Sequence, residues 1–227
     1  MALRREPSDI VLRIAIYAFG VSWAAIAFLF LGYLPSAVQN KVNEQLAPTQ
    51  RLAMSAKPEL LPDYLRHVPA PVDKKLEMTR NVLDDATRKK IKIPQSALSE
   101  TAVQLAAFAK QNPTAWNLLV QLTEYKSAVN AGFQVGAVPE KPRSCLASRP
   151  ALGVRSMTLT QCFQRLDETT WENVAFENSI IIYDGGYLRL KNVSFKNCVF
   201  QIKRTPRGSQ FALGVISAPD SVALGIG

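Results

Sequence analysis

The chain has 227 residues, 48% hydrophobic and 20% charged, which excludes a disordered polymer and leaves room for one large domain or two small ones. Three cysteines cannot build a disulfide framework, and the single histidine, His67, removes most metal-dependent and histidine-based catalytic schemes. A formal net charge of +9 points to anionic partners without choosing among nucleic acid, phospholipid and protein.

The first predicted element is a membrane anchor. Residues 14–34 carry no formal charge. At ~1.5 Å rise per residue a helix of that length spans about 30 Å, the thickness of a bilayer's hydrocarbon core. Tyr17, Trp23 and Tyr33 supply amphipathic rings, and Pro35 stops the helix. The run exceeds the roughly 7–15 residues of a signal-peptide core, and Pro35-Ser36-Ala37 is a poor cleavage site, so a retained anchor is expected. Arg4, Arg5 and Arg13 precede the run, whereas Lys41 and Arg51 follow it. That asymmetry predicts a cytoplasmic N-terminus (1–13) and an extracytoplasmic C-terminal region of a single-pass protein, in a bacterial setting one of the inner membrane. The lipid bilayer is the first expected partner.

Residues 35–70, with prolines at 35, 48, 58, 62 and 69, read as a linker holding short helical pieces at most. Residues 71–131 read as helical. In 71–90, Val72, Leu76, Leu83 and Ala86 fall near one stripe, and Arg88, Lys89 and Lys90 suit the negative end of the helix dipole. Residues 95–111 and 114–131 form a hairpin broken at Asn112-Pro113, with Asn112 or Thr114 as cap and Gly132 as terminator. Leu98, Leu105 and Phe108 are expected to face Trp116, Leu119, Val120 and Leu122. The basic run 88–92 lies in no nucleic-acid-binding motif and reads as a solvated helix end. His67 reads as a surface residue. Residues 132–153, with prolines at 139, 142 and 150, read as a linker to the next domain.

The C-terminal third repeats itself. Residues 171–183 set against 190–202 turn Trp-Glu-Asn-Val-Ala-Phe-Glu-Asn-Ser into Leu-Lys-Asn-Val-Ser-Phe-Lys-Asn-Cys, an offset of 19. Apolar residues recur every five positions: Trp171, Phe176 and Ile181, then Leu190, Phe195 and Phe200. Two positions before each stand Thr169, Val174 and Ser179, then Leu188, Val193 and Cys198, all able to point inward. Asn173, Asn178, Asn192 and Asn197 close the pentads, and Asp184-Gly185-Gly186-Tyr187 joins the copies. The offset sets Lys191 over Glu172, Lys196 over Glu177 and Asn over Asn twice, so charge and amide ladders are expected between layers.

This segment resembles the pentapeptide-repeat solenoids. In them a five-residue unit forms one side of a four-sided right-handed coil, with a large and a small residue pointing inward. The resemblance covers residues 164–202 and implies about two coils of three regular faces and an irregular one. The chain is also similar to bacterial membrane proteins with such a helical segment and an Asn-rich solenoid ending in Tyr-Asp-Gly-Gly, a similarity that implies no activity. The expected architecture is α+β: an N-terminal transmembrane helix, a helical middle region, and a short right-handed β-solenoid with caps over 154–227. Residues 154–166 should supply an entry strand or partial coil, and 209–217 should lie across the open end, anchored by Phe211, Leu213, Val215 and Ile216. Whether 209–217 is helix or strand stays open. Cys145 and Cys162, on either side of the solenoid entry, are the candidate pair if the domain is extracytoplasmic, with Cys198 interior; whether the two pair stays open.

The leading functional expectation is a membrane-anchored structural or interaction protein that presents the solenoid to a protein partner or to itself. An enzyme acting on carbohydrate through solenoid carboxylates is the alternative. Against it, two coils make no long groove, and Asp167, Glu168 and Asp184 are the only solenoid acids outside the expected ion pairs. Asp184 beside two glycines reads as a turn residue. Cys198 is a nucleophile candidate without a histidine near it. No phosphate-binding glycine loop, nucleophile elbow or metal-ligand cluster is present in the sequence, so no cofactor, metal or small-molecule substrate is expected. A gyrase-type or other nucleic-acid-binding module is the second alternative. Residues 167–204 hold five acids and five bases and make a poor DNA mimic, so no nucleic acid is expected.

Overall fold

In the computed structural model, which describes residues 53–134, 142–146 and 153–227, prolines mark where helices begin. Pro58 opens a 3-10 turn, Pro58–Leu60, leading into α1 (Leu61–His67). Pro71 and Pro94 stand just before α2 (Val72–Arg88) and α3 (Gln95–Ala109), and Pro113 is the first residue of α4 (Pro113–Asn130). Proline has no N–H to leave unpaired in a first turn, and its fixed φ suits helix entry. Asn112 caps α4, its Oδ1 accepting the Thr114 N–H at 2.8 Å. Leu76, Leu83, Leu98, Leu105, Leu119 and Leu122 are buried in one core. The Tyr125 hydroxyl donates to the Ile91 carbonyl and accepts the Ile93 N–H at 2.9 Å, which pins the α2–α3 connection onto α4.

The C-terminal region forms two four-stranded sheets. One contains β1 (Arg143–Ser144), β3 (Cys162–Arg165), β5 (Ile180–Tyr183) and β7 (Val199–Ile202), in that order. The other contains β2 (Val154–Thr160), β4 (Thr169–Glu177), β6 (Leu188–Lys196) and β8 (Val222–Ile226). The chain therefore alternates between sheets, and all pairs are parallel except β6 with β8. Between β4 and β6 the register sets Trp171 on Leu190, Glu172 on Lys191, Phe176 on Phe195 and Glu177 on Lys196. Between β2 and β4 the offset falls to 17, with Val154 on Trp171 and Leu159 on Phe176. The physical reason is a tighter corner, because Arg165 to Thr169 covers the distance that Ile182 to Leu188 covers one layer on.

The Phe176 and Phe195 rings stack with centroids 5.5 Å apart and planes within 8°. Helix α5 (Pro206–Ser217) then drives Phe211 against Tyr183, Phe195 and Phe200 at centroid distances of 5.0, 6.1 and 6.2 Å. Thr205 caps α5 through the Gly208 N–H at 2.9 Å. Helices and sheets share one hydrophobic core.

Three expectations are corrected. The pentapeptide-repeat-like β-solenoid is replaced by two sheets. β4 and β6 are nine residues long and run through two pentads each, because a left-handed Asn173 or Asn192 (φ 55° and 56°) bends the strand while pairing resumes on either side. The second sheet is also mixed, since β8 joins it antiparallel. The transmembrane element of the fold class is corrected too. Residues 14–34 lie outside the described residues, and no described helix is long and apolar enough to cross a membrane. The longest, α4, carries Glu124 and Lys126. The single-pass, inner-membrane location that rested on that span loses its structural basis with it. The fold is α+β, built from these helices and the two sheets.

Candidate functional site

Trp171, Phe176, Ile181, Leu190, Phe195, Phe200, Val174, Val193 and Cys198 all lie in the core. The four asparagines stand in pairs at the sheet corners, each with positive φ. Asn192 Nδ2 donates to Asn173 Oδ1 at 2.8 Å, and Asn197 Nδ2 to Asn178 Oδ1 at 2.7 Å. Asparagine fits because its short amide tolerates the left-handed region while bonding its neighbour one layer away.

The solenoid acids named by sequence meet at one corner, where they hold backbone. Asp167 accepts the Asp184 N–H at 3.0 Å and the Gly186 N–H at 2.7 Å, and Glu168 accepts the Tyr187 N–H at 3.0 Å. Asp184 pairs with Arg165 at 2.9 Å. A Cβ on Gly186 would stand 2.5 Å from Glu168 Oε1 and 3.1 Å from Asp167 Cβ, so it would push the Glu168 carboxylate aside, while Gly185 supplies φ 97°. Burial, with the nearby Asp167 charge, pushes the Tyr183 phenol up to about 12, and its hydroxyl donates to the Gly186 carbonyl at 2.8 Å. Cys198 donates its Sγ–H to the Phe176 carbonyl at 3.3 Å, and burial pushes the thiol up to about 11. A neutral, enclosed thiol is a packing group, not a nucleophile. Among the described residues no cluster of three His, Cys, Asp or Glu can hold a metal.

The two ends of the sheet stack differ. At the far end, α4 satisfies the outer edge of β7 and its corner. Glu124 Oε1 accepts the Phe200 N–H at 3.0 Å, Ser127 Oγ the Cys198 N–H at 2.8 Å, and the Ser127 carbonyl the Asn197 N–H at 3.0 Å. Burial raises the Glu124 carboxyl above its usual range, and the Phe200 N–H pulls it back. Burial lowers the neighbouring Lys126 ammonium, which donates to the Pro219 carbonyl at 2.7 Å. β8 covers β6 and α5 lies over the core.

At the near end, β1 and β2 are the outermost strands and no described strand pairs with their outer edges. The Cys145–Cys162 disulfide ties the two-residue β1 segment to β3. Beside it opens a groove of about 440 Å³ lined by Arg143, Ser144, Thr158, Thr160 and Gln161 with the disulfide. Along the outer face, Arg155, Glu172 and Lys191 form a column across three layers, with contacts of 3.2 and 2.5 Å. The hydrogen bond and charge of Lys191 hold the Glu172 carboxyl below the usual carboxylate range. Lys196 meets Glu177 at 3.1 Å.

Sequence reasoning expected an entry strand or partial coil here and missed its register. Ser156 and Gln161 take the left-handed conformation (φ 53° and 54°) at the positions of Asn173 and Asn178. Arg155 supplies the third charge of the column. The signal was present at offset 17, where Val-Arg-Ser-Met-Thr-Leu-Thr-Gln-Cys matches Trp-Glu-Asn-Val-Ala-Phe-Glu-Asn-Ser in polarity, with Arg over Glu. Other sequence candidates are dispersed. His67 is exposed at the end of α1, and Arg88 and Lys89 of the basic run both contact Asp85.

Comparison with known proteins finds no matching family model, no matching curated protein and no matching solved structure. The pentapeptide-repeat resemblance therefore has no support from family comparison either, and the fold and the site are all that bear on function.

Proposed function

We propose that the chain is a structural or interaction protein, and that the uncovered near layer of its paired sheets is the surface it offers to a protein partner. The observation that carries this reading is the unequal treatment of the two ends. Helix α4, helix α5 and β8 close the far end, down to side chains that meet individual backbone N–H groups. At the near end no described residue pairs with the outer edge of β2, and residues 155–158 are exposed. Open strand edges associate, and chains that avoid association cover or blunt them. The acids of the sheet region act as corner caps and ladder partners, so the reading asks no chemistry of them and calls for no cofactor and no nucleic acid.

Site-specific photo-cross-linking tests it. A photoreactive residue in place of Met157, on β2, should give a discrete cross-linked product with another protein in cells. The same residue in place of Lys74, exposed on α2, should give none. Absence of any product at Met157 would overturn the reading.

A further inference from the structure

We propose that the outer edge of β2, which no described strand pairs with, docks an extended segment of another protein that carries a carboxylate opposite Arg155. This rests on the interaction reading above and names the chemistry of the partner. The first observation is the backbone. The Gln161 N–H donates to the Glu177 carbonyl at 3.0 Å, so the amide one residue earlier and the one before that by strand alternation, Thr160 and Thr158, point away from β4. They form a row of donors and acceptors that an added strand can pair with.

The second observation is charge. The column Lys191, Glu172, Arg155 alternates plus, minus, plus, and it ends on an Arg whose side chain is 76% exposed. The position one layer further out therefore favours an acid. A second copy of the described fold does not supply one, because β1, β2, β7 and β8, the strands at sheet edges, contain no Asp or Glu. Two copies joined through β2 would add cation to cation.

The third observation lies in the interior. The inward column Phe200, Ile181 is apolar until its last member, Gln164, which is 6% exposed and whose Oε1 has no hydrogen-bond partner. A buried acceptor left unmet is costly, and it lies in the near layer, on β3, where the short β1 and the disulfide are all that the described residues place outside it. The groove beside the disulfide leaves room for the added strand's side chains.

The probe is a fluorescein-labelled peptide with the sequence of β4, Thr-Thr-Trp-Glu-Asn-Val-Ala-Phe-Glu, which already pairs with β2 along its other edge in this register. Fluorescence anisotropy against the intact, disulfide-bonded chain should show salt-sensitive binding. A peptide with both acids replaced by Lys should bind at least tenfold more weakly, and Arg155→Glu should invert that preference. Thr158→Pro removes an outward N–H and should abolish binding of both peptides. Arg155→Glu, at an exposed position, decides the matter if the proline variant fails to fold. No binding of the acidic peptide, or equal binding of the two, would overturn the proposal, as would self-association lost in Thr158→Pro. If the photoreactive residue at 157 still cross-links its partner when Arg155 is Glu, the interaction reading stands and the acidic-strand proposal falls.

Discussion

Replacing Phe195 with Ala tests the packing at its centre. The ring is 1% exposed and lies where both sheets and α5 converge. It stacks on Phe176 at 5.5 Å and meets Phe200 and Phe211 edge-on at 5.5 and 6.1 Å. Truncation removes the transfer energy of a buried ring and leaves a cavity between rigid β-layers that collapse poorly, a loss of about 3–5 kcal/mol. For a unit the size of 53–227, each kcal/mol moves the thermal midpoint by about 2–4 °C, so a fall of about 6–20 °C is expected. Urea unfolding followed by tryptophan fluorescence measures it, with Trp171 as a reporter in the same core. Phe163→Ala serves as control, since that ring is 36% exposed and should cost less than ~1 kcal/mol. Combining Phe195→Ala with Phe176→Ala should reveal a coupling of about 0.5–1.5 kcal/mol for the stacked pair. A loss below ~1 kcal/mol for Phe195→Ala, or strict additivity with Phe176→Ala, would refute the layer register from which the argument starts.

Thiol titration of the unreduced, denatured chain should find one free thiol, Cys198, and Cys145→Ser should lower stability by about 2–3 kcal/mol through loss of the loop constraint. Because burial raises the Cys198 thiol from 9.0 to about 11, the unfolded chain ionises first as pH rises. The thiol's contribution should be complete below pH 9 and fall by about 2–3 kcal/mol by pH 11, and Cys198→Ala should flatten that segment of the stability profile. Reversing Glu172 and Glu177 to Lys should lower the thermal midpoint by an amount that shrinks with added salt. Adding Lys191→Glu and Lys196→Glu should restore the part carried by the Glu–Lys contacts, with Arg155 still opposed by a cation at 172, and an additive loss in the fourfold variant would refute the pairing.

What the amino-acid order determined by itself was local and periodic. A five-residue recurrence with Asn at the bends placed Phe176 on Phe195 and Glu172 beside Lys191, because stacked strands set equivalent residues next to one another and each layer repeats the demands of the last. Prolines and Asn112 likewise marked the helix starts, since capping and φ restriction act within one turn. The layer 154–165 was not legible as a repeat, because the tighter corner after β3 shifted its offset to 17 and Ser156 and Gln161 replaced asparagine. Nor did the pentads decide between a four-sided coil and two sheets, since that choice depends on whether pairing resumes past each bent residue. Only the tertiary structure showed that Glu124 and Ser127, on a helix some 70 residues earlier, satisfy the far edge of the sheets. Side chains that cap a distant strand carry no periodic signal, because their hydrogen bonds depend on where two elements meet in space and not on their spacing along the chain.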